Sequence, residues 1–299
     1  MRIRPVDLDR DAADIVALIR EVHPTATIDA AGWRHRERTV PERAEPLTLV
    51  AVDEGRVVGG VSAARTFLAG DNAYIHLAVR ESHQRRGIGS ALYEAGLAHA
   101  LSLSPQALLT DFYENDAGVR FATAHGFRQV RAEAVAVLDP RTVDERPSPD
   151  VELRPARDVD PHQLHAVDEA ATRDMPQTDT IEEIPYDEWV QHVLEHPLFS
   201  LDGSFAAIVD GVAVAVSFLV ADHESGRATN MFTGTLRDYR GRGLGLAVKL
   251  ASTHWAAENG IAQIATSNDE TNAAMLAVNR RLGYRPAGRR VEWLRSPAG

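Results

Sequence analysis

Gln84-Arg-Arg-Gly-Ile-Gly-Ser-Ala-Leu92 and Arg240-Gly-Arg-Gly-Leu-Gly-Leu-Ala-Val248 are two versions of one nine-residue turn, 156 positions apart. Each follows a run of strand character, AYIHLAV in the first case and ATNMFTGTL in the second. Each leads directly into apolar residues at helical spacing. Two glycines one residue apart let the backbone turn sharply and present successive N–H groups. At a helix start the first amides lack intrahelical partners, and the dipole favours an anion. That dipole contributes only ~0.3–1 kcal/mol per contact, so several directed N–H bonds must carry the affinity. A pyrophosphate suits such a turn, and Arg85, Arg86 and Arg242 place positive charge beside it.

Outward from the turns, three further landmarks recur in the same order. Arg4-Pro5 and Arg154-Pro155 are 150 residues apart, Asn115 and Asn272 are 157 apart, and Gly126-Phe127 and Gly283-Tyr284 are 157 apart. Near-constant offsets mean a duplicated domain. The boundaries expected from this are a first domain over 1–140, a Pro- and acid-rich linker over 141–150, and a second domain over 151–299. Each copy reads as a strand, an amphipathic helix (Ile15, Leu18 and Ile19 in the first), two strands around a turn, and a strand into the glycine turn. A helix, strand, helix and final strand follow. Strands before, between and after helices predict an α/β fold, each copy a mixed, mostly antiparallel sheet flanked by helices.

Composition narrows the function. A chain of 299 residues suits two domains. The absence of Cys excludes a disulfide scaffold, a cysteine nucleophile, an iron–sulfur cluster and a thiolate zinc site. A net charge of -11 argues against a nucleic-acid partner. The longest apolar stretch, Gly211 to Ala221, is too short to span a bilayer, so no membrane partner is expected. The N-terminal residues have no apolar export core, and the expected location is cytoplasmic. The oligomeric state is not written in the sequence.

Other motifs fail on their requirements. A Walker loop needs Gly-Lys-Ser/Thr, which neither turn has. A dinucleotide fingerprint needs a third Gly three residues after the second, but Gly89 is followed by Ser90-Ala-Leu92 and Gly245 by Leu246-Ala-Val248. His192-Val-Leu-Glu195-His196 spells a zinc-peptidase motif, yet Pro197 ends its helix at once, and no metal is expected.

Both turns satisfy Gln/Arg-x-x-Gly-x-Gly/Ala, the coenzyme A turn of the GCN5-related N-acetyltransferases (GNAT superfamily). Over nearly its whole length the chain resembles a tandem of two such domains, a two-domain actinobacterial type whose layout mycothiol synthase shares. The resemblance implies acetyl-CoA, or another short acyl-CoA, as donor and a small-molecule amine as acceptor, joined by direct attack in a ternary complex. It assigns cofactor contacts to Leu77, Ala78, Val79, Gln84, Arg85, Arg86, Gly87, Ile88, Gly89, Ser90 and Asn115 in the first copy. In the second it assigns them to Thr233, Gly234, Thr235, Arg240, Gly241, Arg242, Gly243, Leu244, Gly245, Leu246 and Asn272.

The family's oxyanion donor is a backbone N–H, here that of Val79 or Thr235, and one such donor is worth ~10²–10³ in rate. The family's acid Tyr, seven residues after the Asn, is replaced by Ala122 and Asn279. Ala122 donates nothing, whereas Asn279 can donate a hydrogen bond or hold a water. The family's Glu base falls on Ala73 and Thr229; nearby stand Asp71 and His76, or Asp222, His223 and Glu224, which also read as solvated hairpin residues. Thr235 and Asn279 are therefore the expected catalytic residues, which favours the C-terminal copy. Its long segment Asp174 to Asp202 carries Asp179, Glu182, Glu183, Asp187, Glu188 and Glu195 with Tyr186 and Trp189. It reads as an acidic helix with Trp189 and Val193 turned inward, or as an attractor for a cationic amine. The alternative function is a non-catalytic tandem module that binds acyl-CoA.

Overall fold

Two hairpins show how closely the halves repeat. Leu47–Asp53 (β2) and Arg56–Arg65 (β3) are joined by Glu54 and Gly55, at φ 48 and 82; Phe205–Val209 (β8) and Val212–Asp222 (β9) are joined by Asp210 and Gly211, at φ 50 and 81. Two successive left-handed residues make the tight turn that matches strand twist. Each hairpin also carries one register shift, at Ala51/Val52 and Ala207/Ile208. The computed structural model describes residues 1–66, 71–148, 150–175 and 183–297.

The chain forms two compact units. The first contains Arg2–Pro5 (β1), Ala12–Val22 (α1), Ala30–Thr39 (α2), β2, β3, Ala73–Val79 (β4), Ile88–Ser102 (α3), Leu108–Tyr113 (β5) and Asp116–Ala124 (α4). Its sheet runs β1-β2-β3-β4-β5, antiparallel except for the β4–β5 pair. Ile75, Leu92, Tyr93, Leu108 and Phe127 bury one face against α3 and α4, while Ile15, Leu18, Trp33 and Val50 bury the other under α1 and α2.

The second unit repeats this with Glu152–Pro155 (β7), Pro161–Thr172 (α5), the short Tyr186–Trp189 (α6), β8, β9, Arg227–Thr235 (β10), Leu244–Glu258 (α7), Gln263–Asp269 (β11) and Ala273–Leu282 (α8). Its order is β7-β8-β9-β10-β11, with β10–β11 the parallel pair. No helix among the described residues is long and apolar enough to cross a membrane.

The units depart from the 1–140 and 151–299 split at the last strand of each half. Arg128–Leu138 (β6) leaves the first unit after Glu133, and Gly288–Gly299, which holds most of Arg285–Arg295 (β12), belongs to the first unit. Arg290–Arg295 pair antiparallel with β5, and Val291 and Trp293 join its core. Conversely, Ala136 and Leu138 pack with Leu219, Ile264 and Tyr284. Strands of like pattern accept either partner, so the pattern alone cannot reveal an exchange. The 141–150 stretch is also engaged: Glu145 accepts hydrogen bonds from Arg281 and, through its carbonyl, from His254 at 2.7 Å.

The only lysine, Lys249, lies inside the second unit at 1 % exposure. Its Nζ donates to Asn279 Oδ1 at 2.5 Å and lies 4.9 Å from the Tyr284 ring centroid. Asn279 Nδ2 donates in turn to Asn268 Oδ1 at 2.6 Å. Burial lowers the Lys249 pKa from 10.5 to about 7.

Two outcomes follow. Trp293→Ala should cost ~3–5 kcal/mol in denaturant unfolding, and exchange protection should fall first in β4 and β5, far away in sequence. For Lys249, the unfolded chain binds a proton that the folded chain resists. Stability should therefore fall as pH drops from about 10 toward 7 and level off below, with a slope of at most ~1.4 kcal/mol per pH unit. Lys249→Met should flatten that dependence in thermal melts between pH 7 and 9.5.

Candidate functional site

Gly87 (φ 79) caps α3 and Gly243 (φ 79) caps α7, and the first intrahelical bonds are Ala91 N to Gly87 O and Ala247 N to Gly243 O, both 3.0 Å. The amides of Ile88, Gly89 and Ser90, and of Leu244, Gly245 and Leu246, consequently have no intrahelical acceptor. A Cβ at Gly87, Gly241 or Gly243 would meet nothing within 4 Å, so an approaching anion finds open backbone. These glycines serve conformation rather than clearance. Arg85 holds the position of Gly241, left-handed at φ 61 against 77. Ile88 and Leu244 anchor the helix starts in the core.

The signature's first residue closes the loop. Gln84 Nε2 donates to Val79 O at 3.2 Å, and Arg240 Nε donates to Thr235 O at 3.0 Å. In each copy a side chain thus fastens the turn to the strand end five residues earlier. Arg80 further binds Glu21 at 3.0 Å, and Arg240 binds Asp174 at 2.6 Å, which tie the end of α1 or α5 to the same turn.

Both units then open beside that strand. β4 pairs with β5 only through Ala73 and Tyr74, and β10 pairs with β11 only through Arg227, Ala228 and Thr229. Arg80 N donates to Val58 O and Leu236 N to Val214 O, each at 2.9 Å. Alternation in an antiparallel ladder therefore directs Ala78 and Gly234 toward β3 and β9. It directs the N–H groups of Leu77, Val79, Thr233 and Thr235 into the splits. The backbone positions expected from the sequence are thus brought together with the glycine turns.

Side chains are divided differently. Leu77 and Val79 pack into the α3-side core, and Ala78 packs on the opposite face. Gly234 is required by close packing, since a Cβ there would lie 2.6 Å from that of Ala171. Thr233 Oγ1 donates to Asn230 Oδ1 at 2.9 Å, beside a register shift in β10 that β4 lacks. Asn115 and Asn272 both cap helices, accepting from Gly118 N at 2.9 Å and Met275 N at 3.2 Å. Arg85 and Arg86 are exposed, and Arg242 lies 5.0 Å over the Tyr239 ring. Ala122 is buried core, and the side-chain polar atoms of Asn279 are bonded to Lys249 and Asn268. Asn279 is a buried partner of Lys249 rather than an open donor.

On the acceptor side of the second unit, Trp189 is buried and its Nε1 donates to Asp168 Oδ2 at 2.6 Å, while Tyr186 stacks on His162 at 3.8 Å. Burial raises the Asp168 pKa. Val193 also packs inward. Asp179 and Glu182 lie outside the described residues. His192 falls in a π turn, Val190–Leu194, and His196 Nδ1 accepts from Leu198 N at 3.2 Å.

The first unit holds a cluster that sequence reasoning found only in part. His76 Nε2 bonds Asp111 Oδ1 at 2.8 Å, and Arg290 Nε donates to Asp111 Oδ2 at 2.6 Å. His76 was legible as a candidate. Asp111 and Arg290 lie 35 and 214 residues away, and no spacing signal links them. Asp71, by contrast, meets Gln106 across a loop, and Asp222 accepts from its own turn at Glu224 N and Ser225 N.

Residues 13–127 match the acetyltransferase (GNAT) family. A search of curated proteins finds no relative by sequence. Among solved structures, a tandem GNAT protein from the clavulanic acid biosynthesis pathway superposes with a TM-score of 0.77 at 19% identity, covering 99% of this chain and 98% of that one. A GCN5-related N-acetyltransferase from Sphaerobacter thermophilus gives 0.70 at 18%, covering 99% and 95%. A putative acetyltransferase from Pyrococcus horikoshii gives 0.62 at 14%, covering 99% and 89%. The first half thus matches the GNAT family, and over its full length the chain shares the fold of a tandem GNAT protein.

Proposed function

We propose that the chain is an acetyl-CoA-dependent N-acetyltransferase that acylates a small-molecule amine by direct attack in a ternary complex. One observation carries this reading. In each unit a strand parts from its parallel neighbour and aims two amides into the gap, beside a helix start with three further unused amides. Such a cleft fits a long thioester with a pyrophosphate: the helix start takes the phosphates, and the strand edge takes the amide-bearing arm. The donor supplies an activated acyl group, and the chain supplies position and charge. The Val79 or Thr235 N–H is aimed where negative charge develops on the thioester oxygen.

The reading as a non-catalytic acyl-CoA module is favoured by one feature, the lack of an ionisable donor at Ala122 and Asn279. A coenzyme thiol has a pKa near ~8.5, so the thiolate can depart without a residue acid. Because Asn279 is committed to Lys249, it gives no reason to prefer the second unit for chemistry. The acceptor side has to decide.

Calorimetry with acetyl-CoA should give two sites per chain. Gly89→Val and Gly245→Val should each remove one of them; the second places a side chain 3.2 Å from Thr235 Oγ1. A single site untouched by one variant marks that copy as vestigial.

Proline at Val79 or Thr235 deletes the N–H facing the split and leaves the ladder bonds of neighbouring residues in place. In the catalytic unit it should lower kcat by ~10²–10³ with acetyl-CoA affinity nearly unchanged. Full turnover in both proline variants removes the oxyanion role.

A further inference from the structure

We propose that His76 is the general base of an acyl-transfer centre in the first unit, oriented by Asp111 and Arg290, for a cationic amine seated in the polar pocket beside them. This rests on the reading above that the first unit's split holds the acyl donor.

The placement follows from strand parity. Ile75, Leu77 and Val79 face the α3-side core, so Tyr74 and His76 stand on the opposite face of β4. Tyr74 stacks on His76 at 4.8 Å and fixes the plane of its ring. His76 is also the second residue beyond the last β4–β5 pair, where the sheet has begun to open. It lies three residues before Val79, roughly 10 Å along the strand. An acceptor nitrogen lying between them, or one reached through a bridging water, spans that distance.

The protonation pattern follows from the partners. Burial opposes ionisation of Asp111, but His76 and Arg290 hold its carboxyl far below the usual carboxylate range. Against an ionised carboxylate, Nε2 of His76 must donate, which leaves the lone pair on Nδ1. Nδ1 makes no hydrogen bond among the described residues, and the side chain is 45% exposed. A base with an open nitrogen, held by a carboxylate on its other nitrogen, is the geometry that proton abstraction needs.

The surroundings select a cation. A small pocket of about 80 Å³ is lined by Asp111, Arg131, Ala132, Glu133, Arg290 and Glu292. Its three carboxylates outnumber its two guanidiniums. Arg131 pairs with Glu133 at 2.7 Å and Glu292 at 3.5 Å, and Arg290 with Asp111 at 2.6 Å and Glu133 at 3.8 Å, so two cations are shared among three carboxylates and one net negative charge is left for a protonated amine. The second unit has no equivalent. By the offsets relating the turns and the two Asn, His76 corresponds to Phe232 and Asp111 to Asn268. Phe232 packs into the core, and Asn268 accepts from Asn279.

The step balances. Nδ1 of His76 takes one proton from the acceptor ammonium, and the freed amine attacks the thioester carbonyl. The C–N bond forms, the C–S bond breaks, and the coenzyme leaves as a thiolate. The acylated nitrogen then loses its second proton, which neutralises the thiolate through solvent.

The test uses the full chain, acetyl-CoA, and thiol release by two kinds of amine. Ethanolamine, spermidine and glucosamine are protonated at neutral pH, whereas methoxyamine is not. His76→Gln should lower kcat/KM with the protonated amines by ~10²–10⁴ and leave methoxyamine transfer and acetyl-CoA affinity close to wild type. A second readout needs no turnover. In Asp111→Asn the His76 ring, followed by nitrogen NMR, should change from a single Nε2–H tautomer to a mixture, because the carboxylate that fixes the Nε2 proton has been removed. The other groups facing that ring, Tyr74 on its own strand, His23 at the end of α1, Arg36 and Glu37 on α2, and Arg290 on β12, are unchanged in this variant. Equal loss with all amines in His76→Gln, or no loss with any, overturns the base assignment and leaves the transferase reading standing. Acetyl-CoA binding without thiol release by any amine in the wild type overturns both, in favour of the non-catalytic module.

Discussion

The loss of pairing between β4 and β5 beyond Tyr74, repeated between β10 and β11 beyond Thr229, is the constraint around which each unit is built. Backbone amides inside a sheet are normally bonded, and leaving them open in a protein interior is costly. Here the opening is held by structure on its other sides. The far edges of β4 and β10 keep long antiparallel ladders with β3 and β9. The near carbonyls at Val79 and Thr235 are occupied by Gln84 and Arg240. What stays open is a line of donors, which suits a ligand rich in carbonyl and phosphate oxygens.

That hook explains why the signature begins with a long polar side chain. Gln and Arg differ in charge, yet each reaches back five residues to one carbonyl with one N–H. The requirement is a donor of sufficient length, not a cation. Arg240 uses its remaining capacity to hold Asp174, whereas the first copy gives that task to Arg80 and Glu21. The same mechanical problem, fastening the first helix to the turn, is thus solved from different positions in the two copies.

Much of this was legible locally. The glycine turns, the helices after them and the repeat depend on residues near one another, and each turn leads directly into its helix as expected. The exchanged last strands were not legible, because β6 and β12 offer similar edges to similar neighbours. Their fate is decided by long-range core contacts such as Trp293 with Phe112, ring centroids 6.0 Å apart. Asn279 was misjudged for a related reason. Its position in the repeat points to an open catalytic donor, but its actual surroundings include Lys249, thirty residues earlier on α7. A polar side chain on a helix facing an unseen lysine cannot be told from one facing a ligand until the helices are packed. The caps at Asn115 and Asn272 show the converse, where a purely local role is realised locally.

The two copies therefore share a backbone and differ in what fills it. In the second, the position matching Asp111 is Asn268, tied into a chain of amides that ends on a buried amine. This interior is polar but closed, since Lys249, Asn279 and Asn268 satisfy one another. In the first, the matching carboxylate is kept ionised by a guanidinium from the last strand of the chain and turns a histidine outward. Without Arg290, Asp111 would face one neutralising partner instead of two, at a site where burial already opposes its charge. The strand that completes the first unit's core with Val291 and Trp293 carries Arg290 on the alternate face. Period-two alternation along one strand thus ties the folding of the first unit to the electrostatics of its polar face, and the chain acquires that face only when its final residues are in place.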